Sequence, residues 1–102
     1  MKKMEKPAVL KPKGIKARLK EFPGWKFSKN KISKEFKFRD FVDSMRFIQR
    51  LTPFFQKMDH HPDTHIMYDK VLFELQRFDV GGKVTDRDFL VAGEIEARYG
   101  RK

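Results

Sequence analysis

Three histidines fall within six positions, in the segment Asp59-His60-His61-Pro62-Asp63-Thr64-His65, and they are all the histidines of the chain. Histidine titrates near neutrality without help, so histidines beside carboxylates can both give and take protons. Pro62 has no backbone donor and restricts the residue before it, which places the pair where a regular element ends. The same residues also suit a structural use, because imidazoles at a helix end satisfy terminal carbonyls and favour the dipole there. A metal site is a third option. Its spacing offers no i, i+4 ligand pair, and Pro62 disrupts regular geometry, so no metal is expected. On the residue types alone, proton transfer and helix capping both stay open.

The elements that must position this cluster are legible on either side of it. Arg39 to Met58 reads as a long helix. Phe41, Met45, Ile48, Thr52 and Phe55 form one stripe on it, and Phe47, Leu51, Phe54 and Met58 form a second. Two stripes are wider than a single sheet contact requires. They imply a deeply buried helix, or one stripe on a sheet and the other on a neighbouring subunit. Pro53 is expected to kink this helix or split off its last turn.

Before the long helix, Gly14 to Phe22 reads as a short helix closed by Pro23-Gly24. Trp25 to Ser28 and Lys31 to Phe38 read as strands joined at Lys29-Asn30. After the histidines, Ile66 to Tyr68 and Val71 to Phe78 read as a second pair around Asp69-Lys70. Asp79 to Lys83 is a turn. Thr85-Asp86-Arg87-Asp88 has the form of a capping box, opening a last helix through Phe89, Ala92, Ile95 and Tyr99. The order α-β-β-α-β-β-α indicates an α+β domain: two layers, with helices packed on one face of a four-stranded antiparallel sheet. Residues 1–13, polar with Pro7 and Pro12, read as a flexible basic leader, and 14–102 as a single domain.

Composition bounds the function. With 102 residues, 39% of them hydrophobic and eleven of them Phe, the chain can bury one core. It has no cysteine, which excludes disulfides, thiolate metal sites and cysteine nucleophiles. No apolar run suggests a secretory signal or a membrane span, so a cytoplasmic protein is expected. The net charge of +10 is unevenly placed: residues 1–39 hold 14 Lys or Arg against 3 acids, and the remainder holds 10 against 11. Lysine dominates the basic part without arginine–aromatic interleaving. That part reads as a solvated face rather than a nucleic-acid site.

Taken together, Phe36-x-Phe38-x-x-Phe41, His60-His61-Pro62-Asp63, Tyr68-x-Lys70-Val71 and Gly82-x-x-Thr85-x-x-Asp88 resemble the pterin-4a-carbinolamine dehydratase family, also known as the dimerisation cofactor of a homeodomain transcription factor. The likeness covers roughly residues 14–99. It implies loss of water from 4a-hydroxytetrahydropterin to give the quinonoid dihydropterin, with no metal or cofactor. It also implies a homodimer or homotetramer built through helix and sheet-edge contacts. By the family's pattern His60 would be an acid/base group and His61 would contact the pterin. Asp59, Pro62, Asp63, Arg77, Phe78 and Asp88 would line the same pocket, although a capping role alone would explain Asp88. The chain departs from the pattern at several walls of that pocket. Phe78 stands where a third histidine is usual, and Gln76-Arg77 replaces Ser-Thr. Gln56 replaces an acid, and Thr64 replaces an aromatic. The expected function is therefore a pterin dehydratase. The alternative is a weak or inactive homologue serving as an oligomeric interaction module, whose partner would be a protein met through the oligomer helix, or a nucleic acid.

Overall fold

The computed structural model describes residues 8–77 and 82–100. Helix α1 spans Pro12–Leu19, strand β1 Lys26–Ser28, β2 Lys31–Lys37, helix α2 Phe41–Met58, β3 Asp63–Met67, β4 Lys70–Leu75, and helix α3 Asp86–Gly100. The strands form one antiparallel sheet in the order β1-β2-β4-β3. The expected α+β fold is therefore the observed one.

Alternation explains how the sheet buries one face. Ile32 and Phe36 of β2 stand opposite Leu75 and Val71 of β4. These four residues and Phe73 are fully or almost fully buried. On α2 the buried side chains are Ser44, Phe47, Leu51 and Phe55, a single stripe at helical spacing that lies against this face. It draws members from both stripes expected from the sequence. Ile48 and Phe54 pack partly against the core, while Phe41 and Val42 stay exposed. Val91, Ala92 and Ile95 of α3 and Ile15 of α1 belong to the same core.

Caps set the helix limits. Asp40 is extended and its side chain accepts the Asp43 amide at 2.9 Å, so α2 starts at Phe41 rather than Arg39. The helix runs through Pro53 to Met58 without losing its last turn. Pro53 lies on the exposed side, where solvent can reach the carbonyl that lacks an intrahelical donor. At α3 the capping box forms: the Asp88 carboxylate accepts the Thr85 amide at 2.7 Å and the Thr85 hydroxyl at 3.1 Å.

Strand limits differ from the sequence reading: β1 starts at Lys26 rather than Trp25, β2 ends at Lys37 rather than Phe38, and β4 starts at Lys70 rather than Val71. β3 begins at Asp63, three residues before Ile66, and its turn is Tyr68-Asp69 rather than Asp69-Lys70. β3 is a polar edge strand held by its pairing with β4, so no apolar alternation marks its start. The expected extension of β4 to Phe78 lies partly outside the described residues; the strand itself closes at Leu75. Residues 8–13, read as leader, are attached to the body of the fold. Val9 bridges Thr85, Leu10 donates to the Val84 carbonyl at 3.0 Å, and α1 already starts at Pro12. The rest of that leader, residues 1–7, lies outside the described residues.

Candidate active site

The C-terminus of α2 decides where the two histidines point. Asp59 takes the left-handed conformation, φ 50° and ψ 47°, and its amide bonds back to the helix. Aspartate tolerates that conformation better than most residues. The His60 amide then donates to the Phe55 carbonyl at 3.1 Å. With the chain reversed at Asp59, one imidazole enters the protein and the next leaves it.

His60 is 2% exposed and Asp88 is fully buried. His60 Nε2 bonds Asp88 Oδ1, while Asp88 Oδ2 is the atom that caps α3. On the other side of the ring, Arg77 Nη1 lies 3.2 Å from His60 Nδ1. A guanidinium can only donate, so Nδ1 accepts and the ring proton resides on Nε2, directed at Asp88. Arg77 Nη1 also donates to the Asp59 carbonyl at 2.6 Å, and Arg87 Nη1 to the Met58 carbonyl at 3.4 Å. Two cations thus meet the carbonyls at the negative end of α2. Asp59, His60, Arg77 and Asp88 form one bonded cluster that joins α2, the end of β4 and α3.

His61 is exposed on the outside of this cluster, and its Nε2 lies 3.0 Å from Gln56 Oε1. The amide oxygen accepts, so Nε2 carries the proton and Nδ1 keeps its lone pair. Pro62 is partly buried and its carbonyl accepts the Thr64 hydroxyl at 3.3 Å.

Other expected residues are placed elsewhere. Asp63 opens β3 opposite Glu74, and Lys31 Nζ lies 3.7 Å from Asp63 Oδ2 and 3.6 Å from Glu74 Oε1. His65 Nε2 lies 2.8 Å from Glu74 Oε1. By strand alternation these groups share the sheet face turned away from the helices. The hydrogen bond from His65 is the main cause holding the Glu74 carboxyl below its ordinary value; burial opposes it, and the charges of Lys31 and His65 add to the lowering. Asp63 and His65 are thus not gathered with His60 and His61. Phe78 lies outside the described residues. Among the described residues, no three His, Asp or Glu side chains are grouped as a metal site.

The order of elements, the histidine pair at the helix end and the capped α3 can now be set beside known proteins. The family profile described as pterin 4 alpha carbinolamine dehydratase matches residues 8–98. The chain belongs to this family. A protein of Sulfolobus acidocaldarius, provisionally named a pterin-4-alpha-carbinolamine dehydratase, is 43% identical over 81 residues, covering 79% of this chain and 88% of that one. A protein of Acidobacterium capsulatum with the same provisional name is 40% identical over 90 residues, covering 88% and 97%. Among solved structures, one described as a transcriptional coactivator/pterin dehydratase from Brucella melitensis superimposes with a TM-score of 0.81 at 27% identity. It covers 87% of this chain and 96% of its own.

For a member of the pterin-4a-carbinolamine dehydratase family, two positions gain meaning that the sequence reading had missed. Gln56 had been noted only as a departure, yet it is the partner of His61. The two stand five residues apart across a left-handed cap, a spacing no helical rule flags. Arg87 had been read only as part of the capping box. It reaches back to α2, and its sole sequence signal was a cation in the first turn of a helix.

Proposed function

We propose that the protein dehydrates 4a-hydroxytetrahydropterin, with His61 as the acid/base residue and His60 as a positioning residue beneath it. The observation that carries this reading is the division of labour at the α2 terminus. His61 is exposed and, among the described residues, its Nδ1 has no hydrogen-bond partner, while both ring nitrogens of His60 are used inside the protein. In the reaction His61, protonated, gives its proton to the C4a hydroxyl, and the C–O bond breaks with release of water. The N5–H proton then leaves to His61 as the C4a–N5 double bond forms. One proton is given and one returned, so the residue ends as it began. Arg77, held by the Asp59 carbonyl and His60, keeps the helix end and hence His61 in place. Asp59, Pro62 and Phe78 are proposed as pocket surroundings on the family's pattern; Asp63, on the far face of the sheet, is left out of it.

The direct test supplies 4a-hydroxytetrahydropterin and follows quinonoid dihydropterin. The wild type should exceed buffer, and His61→Ala should lose about 10²–10⁴ of that gain while unfolding at nearly the wild-type midpoint. A wild-type rate equal to buffer would refute the enzymatic reading.

A second reading, an interaction module, is favoured by the Brucella melitensis relative's description as a coactivator. The large apolar side chains left exposed also favour it: Phe41 and Val42 at the start of α2, and Ile66 and Met67 on the edge strand. The proposed homodimer or homotetramer would use the same surfaces. Light scattering on the purified chain should give a mass of two or four copies, reduced by Val42→Glu. A monomeric wild type would rule the assembly out.

A further inference from the structure

The first half of α2 carries a cleft that the histidine site does not use. It has a volume of about 350 Å³ and is lined by Phe38, Arg39, Asp43, Arg46, Phe47 and Arg50. Arg46 precedes Gln56 by ten residues, which sets the cleft ~15 Å along the helix from the partner of His61. Three of the six lining residues are arginines and only one is acidic. That acid is taken: Arg39 Nε lies 3.2 Å from Asp43 Oδ2. Among the described residues, no carboxylate pairs with Arg46 or Arg50. The contrast with neighbouring cations is sharp, since Lys31, Lys34, Lys37 and Arg98 each have a carboxylate within reach.

Arg46 and Arg50 are one turn apart and therefore share a helix face. The turn that carries Arg50 is braced from outside, because Arg98 Nη1 donates to the Arg50 carbonyl at 2.8 Å. The floor is fixed as well: Phe38 and Phe47 are 4% and 2% exposed, with ring centroids 5.1 Å apart. Two planar cations with no carboxylate partner among the described residues thus line the same cleft as a packed aromatic pair.

We propose that this cleft binds a small organic phosphate, its phosphate held by Arg46 and Arg50 and its ring system laid towards Phe38 and Phe47. A guanidinium presents parallel N–H donors that match phosphate oxygens two at a time. Two such forks with two unbalanced charges suit a doubly charged phosphomonoester better than a single carboxylate. The volume falls in the range of about 300–1,000 Å³ usual for small-molecule sites, large enough for a nucleoside monophosphate. The inference does not depend on the dehydratase reading.

Adenosine monophosphate serves as the probe, followed by calorimetry and by backbone amide shifts of the full chain. Saturable binding is expected, tighter than that of inorganic phosphate, with the shifted amides concentrated in residues 38–50. Arg46→Gln and Arg50→Gln should each weaken it by ~10-fold or more, and His61→Ala should leave it unchanged. Arg46→Lys, which keeps the charge and loses the fork, should fall between. Both arginines are exposed, so unfolding midpoints should hold and a lost shift can be read as lost binding. The proposal is overturned by absence of saturation, by equal affinity in the glutamine variants, or by inorganic phosphate binding as tightly as the nucleotide. Displacement by a single-stranded oligonucleotide with a steep salt dependence would overturn it in favour of a nucleic-acid surface.

Discussion

Asp88 does two jobs with one carboxylate, and its removal shows what the histidine pair rests on. One oxygen caps α3 through Thr85, and the other holds the His60 ring. Asp88→Ala would strand the buried His60 Nε2–H and the Thr85 amide together. Each orphaned buried donor costs about 1–3 kcal/mol, so a loss of ~3 kcal/mol in urea unfolding is expected, with Asp88→Asn losing clearly less. A loss under ~1 kcal/mol would mean that His60 finds another acceptor. Asp88 was legible as a cap from Thr85-x-x-Asp88. Its second role was not, because nothing in the spacing tells that a residue 28 positions from His60 meets it across the helix layer. Likewise the adjacency of His60 and His61 was visible, but their opposite directions came from the left-handed Asp59. The remaining histidine allows a pH prediction. The folded-state Glu74 carboxyl is held below the ordinary glutamate value of 4.5 by His65 and Lys31. That pairing therefore adds stability above pH 4.5, which is lost as the pH falls through the depressed folded value. Glu74→Gln should unfold earlier than wild type at pH 6, by under ~1 kcal/mol as for other surface pairs, and the difference should shrink steadily as the pH is lowered below 4.5. A gap that does not shrink on acidification would assign the effect to packing.

At the scale of elements, the turn between β1 and β2 is under strain that a substitution can release. Lys29 and Asn30 both have positive φ, 52° and 62°, in a two-residue loop closing Ser28 against Lys31. This is the pattern of a type I′ turn, which favours Asn then Gly. A lysine there bears a left-handed cost of roughly 1–2 kcal/mol. The double variant Lys29→Asn/Asn30→Gly should stabilise the fold by ~1 kcal/mol, raising the midpoint by about 4–8 °C in a domain of this size. No rise would mean that Lys29 makes a compensating contact. The hairpin itself was legible because apolar alternation flanked a turn-forming pair. The start of β3 was not, since Asp63, Thr64 and His65 carry no apolar period, and only the pairing with β4 makes them part of the strand read at Ile66. The stripes of α2 were half legible for a related reason. Helical spacing shows which residues share a face, but the angle at which α2 crosses the sheet selects the buried set.

At the scale of the whole molecule, the charge that is segregated along the chain becomes paired in space. Basic residues of the first 39 positions meet acids of the rest, as in Lys31 with Asp63 and Glu74, and Lys37 with Asp69. The tightest of these junctions is Glu96 on α3. Its Oε2 accepts the Trp25 indole N–H at 2.9 Å and also binds Lys34 Nζ, which in turn donates to the Pro23 carbonyl at 3.2 Å. A single carboxylate thus ties the β1–β2 hairpin and the turn before it to the last helix. Trp25 is 5% exposed, so its N–H would find little water in place of Glu96. Glu96→Ala should therefore cost about 1–3 kcal/mol, the range for one unsatisfied buried donor. Glu35→Ala, on an exposed part of β2, should stay within ~0.5 kcal/mol. The Lys34 share of the Glu96 effect should shrink at high salt more than the Trp25 share, because screening weakens the attraction between two full charges most and a hydrogen bond from an uncharged indole donor least. Urea unfolding of both variants at low and high salt separates the two contributions. If Glu96→Ala and Glu35→Ala lose equally little, the basic first part of the chain is held by core packing alone.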